Sequence, residues 1–236
     1  MEDTIFISQS KYAKNIVKKF GLDNASHKRT PAATHLKLSK DENEVAVDQS
    51  MYRSMIESLL YLTASRPDIT CARYQTDPKI SHLTQRKRIL KYINGPNDYG
   101  ILYSHSANSK LIGYCDVDWA GNADDRKSTS GGCFFLGNNL VSWFSKKQNF
   151  VSLSTVEAEY IAAGSICSQL VWMKQMLEEY DVKQGVLTLD LVEEKIVTLE
   201  HVSTEEQLAD IFTKALDVKQ FEKLWSKLGI CLHKEF

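Results

Sequence analysis

The 236-residue chain holds 43% hydrophobic and 25% charged residues at a net charge of −1, which suits one large or two small folded domains and excludes a wholly disordered polymer. No apolar run reaches the roughly 18 residues of a membrane span, and the start, MEDTIF, has neither a basic nor an apolar leader segment, so an intracellular, non-secreted chain is expected. The cysteines (Cys71, Cys115, Cys133, Cys167 and Cys231) are odd in number and contain no CxxC pair, which argues against a disulfide framework or a zinc site.

In chain order, SQSKYAKNIVKKF predicts an amphipathic helix over 8–20, with Ser8 as N-cap, Tyr12, Ile16, Val17 and Phe20 on one face and Gly21 as the stop. Residues 22–47 are polar and read as a linker. A second helix runs from about Gln49, with Tyr52, Ile56, Leu59, Leu60 and Thr63 on one face, and ends before Pro67. A third covers 79–94 and stops at Gly95 and Pro96; its RKRILK segment places Arg86, Lys87, Arg88 and Lys91 close together, either to meet a nucleic-acid backbone or to solvate the helix. From about residue 100 the pattern turns to strands: ILYSH, then KLIGYCDVDWA, STSGGCFFLGN and LVSWFSKKQ, the last three forming an antiparallel meander with Asn138 and Asn139 between its final two strands. A long helix over 155–180 follows, with Val156, Tyr160, Ala163, Ile166, Leu170, Trp172, Met173 and Met176 on its buried side. A short strand pair (VLTL, KIVTLEHV) and a helix at about 205–216 complete the chain.

Charge is divided unevenly. Residues 1–110 hold 17 Lys+Arg against 11 Asp+Glu, and the remainder 12 against 19. Within the acidic part, Asp116 and Asp118 point to one face of a strand because side chains alternate across a sheet. Glu157 and Glu159 lie in the first turns of the long helix, where they suit the positive end of its dipole, and Asp210 lies in the final helix. Carboxylates converging from separate elements are a usual means of holding two magnesium ions for phosphodiester hydrolysis; taken singly, Glu157 reads as a helix-end charge and Asp118 as a turn group.

The run YCDVDWAGNADDRKSTSGGCFFLGNNLVSWFSKKQNFVSLSTVEAEYIAAGS, residues 114–165, resembles the first half of the ribonuclease H domain in the Pol polyproteins of copia-type LTR retrotransposons, and HVSTEEQLADIFTKAL, residues 201–216, resembles its end. SKYAKNIVKKFGL, YRSMIESLLYLTASRPDI and HLTQRKRILKYINGPNDYGILY resemble the reverse-transcriptase tail and connection that precede it. The resemblance implies an α/β (α+β) fold: a ribonuclease H-like mixed sheet with flanking helices over 100–236, after a mostly helical thumb and connection remnant over 1–99. It implies a nuclease that cuts the RNA strand of an RNA–DNA hybrid during reverse transcription, using two Mg2+ (or Mn2+) ions on four carboxylates. Asp116 matches the first carboxylate, Glu159 the helical one and Asp210 the last, while His201 falls near the family's mobile histidine.

The third carboxylate has no clear match. VLTL runs directly into DLVEEK, so about thirty residues are missing near 186–192, the size of a strand end plus two helices, and Asp190 stands at the junction as a substitute. PDITCARYQ is also shorter than the family's pattern, and no YxDD-type polymerase site occurs in this sequence, so DNA synthesis is not expected from it. The expectation is a weakened or inactive nuclease. The alternative is a non-catalytic remnant that binds nucleic acid, or a protein partner through apolar surface laid bare by the deletion. The family's setting is the cytoplasm, in virus-like particles, or the nucleus.

Overall fold

The computed structural model describes residues 4–34, 45–70, 79–95, 98–105, 108–185 and 202–233. The chain is of the expected mixed α/β class, with helices and two three-stranded sheets. It divides into two compact units: a helical unit of Phe6–Leu102, Asn122–Asp125 and Lys214–Phe236, and a sheet–helix unit of Met1–Ile5, Tyr103–Gly121 and Arg126–Thr213. Among the described residues no helix is long and apolar enough to cross a membrane.

In the helical unit, α1 (Ser10–Lys19) and α2 (Gln49–Leu62) follow the periodicity of the sequence. Ala13, Ile16 and Val17 are buried on α1, and Tyr52, Met55, Ile56, Leu59 and Leu62 on α2; Leu60, a hundred degrees round the helix from Leu59, stays exposed. Asp48 caps α2 by accepting from the N–H groups of Ser50 (2.8 Å) and Met51 (3.2 Å). Ser8 is not the cap of α1: it ends a strand, β1 (Thr4–Ser8), and Gln9 takes the capping position. This strand gives no signal in the sequence because it is an edge strand beside β2 (Tyr99–Ser104) and is almost wholly exposed, so its residues show no alternation. On the other side of β2 lies β6 (Ile230–Leu232), antiparallel, pairing Tyr99 with Leu232 and Ile101 with Ile230. Helix α3 (Ile80–Ile93) and α5 (Val218–Lys227) complete this unit.

Its interior holds an ion cluster. The Arg66 guanidinium grips Asp68 with two hydrogen bonds (2.9 and 2.8 Å), the Tyr92 hydroxyl donates to the same carboxylate at 2.5 Å, and the guanidinium lies over the rings of Tyr92 and Tyr99 at 5.2 and 5.5 Å. Burial pulls the Arg66 pKa down, but Asp68 and Tyr92 more than offset it and hold the guanidinium above its ordinary value. Burial first, and then the Asp68 charge, push Tyr92 well above the usual phenol value. Bidentate geometry and ring stacking are what make such a pair tolerable away from water.

In the sheet–helix unit, β3 (Leu111–Asp118), β4 (Thr129–Leu136) and β5 (Asn139–Lys147) form the expected antiparallel meander. The last turn is Gly137–Asn138, with Gly137 at φ +60°, so Asn139 already belongs to β5. Helix α4 (Thr155–Glu179) covers one face through Leu111, Phe134, Ala163, Ile166 and Leu170. Val156, Tyr160 and Trp172, expected on the buried side, are exposed instead, and Ala158 and Ala162 take their place. Ala158 and Ala162 pack on Val117 of β3, while Gly113 and Gly132 admit the larger Ile166 and Leu170 against the strands: a Cβ on Gly132 would stand 2.3 Å from Ile166 Cδ1, and one on Gly113 3.1 Å from Ile166 and Leu170. The helix expected over 205–216 is only a five-residue 3₁₀ helix, Leu208–Phe212. All five residues are buried, which leaves no solvent face to support an amphipathic α-helix, and 3₁₀ geometry is confined to short pieces. The strand pair VLTL and KIVTLEHV, the shortened PDITCARYQ segment from Cys71 onward, Asp190 and His201 lie outside the described residues.

Replacing Asp68 with Ala strands a buried guanidinium; the variant should lose about 3–5 kcal/mol of stability, read as a lower urea midpoint. A shift below about 0.5 kcal/mol would show that the pair is solvated.

Candidate functional site

Antiparallel register sets the geometry. Asp116 on β3 is the cross-strand partner of Gly131 on β4, and both lie on the face opposite α4, because the intervening Gly113 and Gly132 face that helix. A Cβ on Gly131 would stand 2.6 Å from Thr213 Cγ2 and 2.9 Å from Phe212 Cβ, so only glycine lets the 3₁₀ helix settle on the strand. That contact brings Asp210, 2% exposed, to the Asp116 side of the sheet. Thr213 joins the two segments: its hydroxyl lies within hydrogen-bond reach of Asp116 Oδ2 and of the Asp210 carbonyl, the latter at 3.2 Å. The single proton serves one acceptor at a time, and a carboxylate is the stronger one.

Glu159 belongs to the other face. It lies exposed in the second turn of α4, whose first turn is fastened by Ser154 Oγ, which accepts from the Glu157 N–H at 3.1 Å. Glu157 in turn accepts from the Leu153 N–H at 2.7 Å and is thus the helix-end charge expected of it. Asp118 is a turn group, its carboxylate filling the space that a Cβ on Gly121 would need. Cys115 lies on the α4 face, packed against the Leu111, Phe134, Ile166 and Leu170 cluster: burial, and then the charges of Glu159 and Asp116 with Cys167 beyond, push its thiol up to about 11.

One residue that the sequence gave no reason to single out holds this arrangement together. Gln148, at the end of β5, is buried and donates from Nε2 to Ser130 Oγ (2.9 Å) and to the Ala158 carbonyl (3.0 Å), while its Oε1 accepts from Ser152 Oγ at 3.1 Å. Its own N–H donates to the Ser128 carbonyl at 2.8 Å. Strands β4 and β5 and the start of α4 therefore meet on one amide. A lone glutamine after a lysine pair carries no pattern that would reveal this.

The family's two-ion arrangement was tested against these positions. Among the described residues no three His, Cys, Asp or Glu side chains are grouped so as to hold a metal ion. Asp116 and Asp210 share one side of the sheet with Thr213 between them, and Glu159 stands on the helix across it. The described residues do not fit a metal pair as they stand.

The basic residues of α3 lie in the helical unit. Arg86 is 3% exposed and shares the buried face with His82, Ile89, Leu90 and Ile93; Arg88 donates to Thr30 Oγ1 at 2.9 Å; Lys87 is exposed and Lys91 half-buried. The four do not form one outward strip. Helical spacing explains it: 82, 86, 89, 90 and 93 follow one stripe, and the run of cations crosses it.

The chain is similar, over 96% of its length and at 30% identity, to the retrovirus-related Pol polyprotein from transposon RE2 of Arabidopsis thaliana, and at 31% to that from transposon TNT 1-94 of Nicotiana tabacum. It spans 18% and 20% of those two proteins. The alignments run over 263 and 269 residues, more than this chain contains, so both relatives carry residues that it lacks. An uncharacterized mitochondrial protein of Arabidopsis thaliana is 39% identical over 71% of the chain and 72% of its own length. No family model and no solved structure matches.

A thiol raised from 9.0 to about 11 holds about 100-fold less thiolate at neutral pH. Iodoacetamide labelling of Cys115, followed by peptide-resolved mass spectrometry, should therefore be slow at neutral pH and climb about tenfold per pH unit until near 11. Glu159→Gln should speed it, since one of the charges opposing the thiolate is removed; an unchanged rate would separate Glu159 from the site.

Proposed function

Because this chain belongs to the Pol polyproteins of copia-type retrotransposons, we propose that it is their ribonuclease H-like domain with a short reverse-transcriptase remnant, that its ancestral cleavage of the RNA strand in RNA–DNA hybrids is weakened or lost, and that nucleic-acid binding remains. What supports the reading is the position of Asp116, Glu159 and Asp210, the three carboxylates matched to the family pattern. Two stand on one side of the meander beside Thr213 and the third at the head of the helix on the other, each next to the strand that carries Asp116.

The loss has a physical reason. Hydrolysis of a phosphodiester through metal ions depends on hard oxygen ligands fixed at the right separation before the substrate arrives. With no clear match in the sequence for the family's third carboxylate, for which Asp190 is the substitute, and the other three ungrouped among the described residues, that preorganisation is lost in this reading, and rates fall by orders of magnitude when such electrostatic positioning is lost. Binding has gentler requirements. A hybrid is recognised through its backbone and 2′-hydroxyls, which calls for surface cations and polar groups but not for a metal pair.

The test is the purified full chain with magnesium and an end-labelled RNA–DNA hybrid, beside Asp116→Asn. Cleavage should be no faster for the unmodified chain than for Asp116→Asn, while both bind the hybrid with an affinity that falls as salt is raised. Cleavage that Asp116→Asn abolishes would show an intact nuclease; absence of any salt-sensitive binding would remove the remaining activity as well.

A further inference from the structure

Between β5 and α4 the sheet–helix unit opens into a cleft of about 440 Å³, within the range of pockets that accept small organic ligands. Its floor is formed by Phe134 and Phe144, whose ring centroids lie 6.4 Å apart. The helix wall is Ile161, Ser165 and Gln169, one residue per turn. Ser165 spends its hydroxyl on the Ile161 carbonyl at 3.1 Å, so this wall is short and leaves the cleft open.

The mouth is cationic and aromatic. Register pairs Lys146 with Ser130 and Phe144 with Gly132, which puts Lys146 on the same side of β5 as Phe144, toward the helix. Lys147 and Phe150 also line the cleft, and Phe150 is 75% exposed, so its ring face is open to a ligand. No aspartate or glutamate lines this cleft. The site therefore favours a ligand that is anionic at one end and flat and apolar at the other.

We propose that the cleft binds single-stranded nucleic acid, with one base against Phe150 and Phe144 and the adjoining phosphates at Lys146 and Lys147. The proposal rests on the nucleic-acid reading above and adds to it a place and a strand type. Base stacking on an aromatic ring is tolerant of sequence because every base has a π-face, and lysines track a phosphate backbone as mobile point charges. An acidic peptide would satisfy the lysines but would leave the aromatic floor with nothing planar to cover it.

The experiment is anisotropy of a short fluorescein-labelled oligothymidylate titrated with the full chain in EDTA, where nuclease chemistry plays no part. Lys146→Glu reverses a charge on an exposed strand residue, and Gln169→Trp fills the cleft from a half-buried helix position that lines it, so neither replaces a core residue. Each should weaken binding about tenfold or more, while Lys110→Glu, the same charge change on exposed β3-side surface, should shift it less than about twofold. The proposal fails if all three variants weaken binding alike, or if polyglutamate displaces the probe as well as unlabelled oligothymidylate does. It also fails if only Lys87→Glu with Lys91→Glu on α3 abolishes binding, an outcome that would leave nucleic-acid binding standing and remove the cleft. No binding by any form would overturn both.

Discussion

Two adjacent glycines on a central strand set the architecture of the sheet–helix unit. Gly131 and Gly132 face opposite sides of β4, and each is the point where another element comes too close for a side chain: the 3₁₀ helix on the Gly131 side, α4 on the Gly132 side. A strand normally keeps its neighbours at side-chain distance, so a glycine pair costs some strand stability and in exchange lets both layers approach the sheet backbone. Asp116 is opposite Gly131 across the β3–β4 ladder, which puts it where the two layers and the sheet come nearest together. Gln148 then ties the strand ends to the start of α4, so the head of the helix is fixed in relation to the same strands.

This arrangement explains why the carboxylates among the described residues do not form a metal cage. Asp116 and Asp210 are brought to one side by the Gly131 contact and bridged by Thr213, and Glu159 reaches the same strand only from across the sheet, where its charge is felt by Cys115. The Pol polyprotein relatives carry residues that this chain lacks, and among its own described residues the carboxylates are not grouped to hold a metal ion.

Much of this was legible in the sequence, for identifiable reasons. Long periodic segments such as α2, α3 and α4, and the alternation and turn residues of the β3–β4–β5 meander, carry their own signals. The local settings of two carboxylates were legible too: Asp116 lies on a strand and Glu157 in the first turn of a helix, where the sequence pattern puts them. The failures have a common origin in tertiary distance. Tyr160 and Trp172 look like core by bulk, but the buried side of α4 runs through Ala158 and Ala162 against Val117 and through Ile166 and Leu170 over Gly113 and Gly132. The Leu208–Phe212 segment is buried on all sides and so loses the face that would have made it an α-helix. Arg86 reads as a surface cation until the helix phase places it inside, and Gln148 has no pattern at all because its role is defined by bonds to a neighbouring strand, a loop and a helix rather than by any periodicity of its own element.

The central claim is that Asp116, Glu159 and Asp210, divided between the two sides of the sheet, do not form a metal site. It is tested most directly by paramagnetic broadening: backbone amide resonances of the full chain followed by NMR as millimolar Mn2+ is added. The account predicts no shared, saturable broadening of residues 116, 159 and 210. Joint broadening of all three at one low Mn2+ concentration, removed by Asp116→Asn, would contradict it.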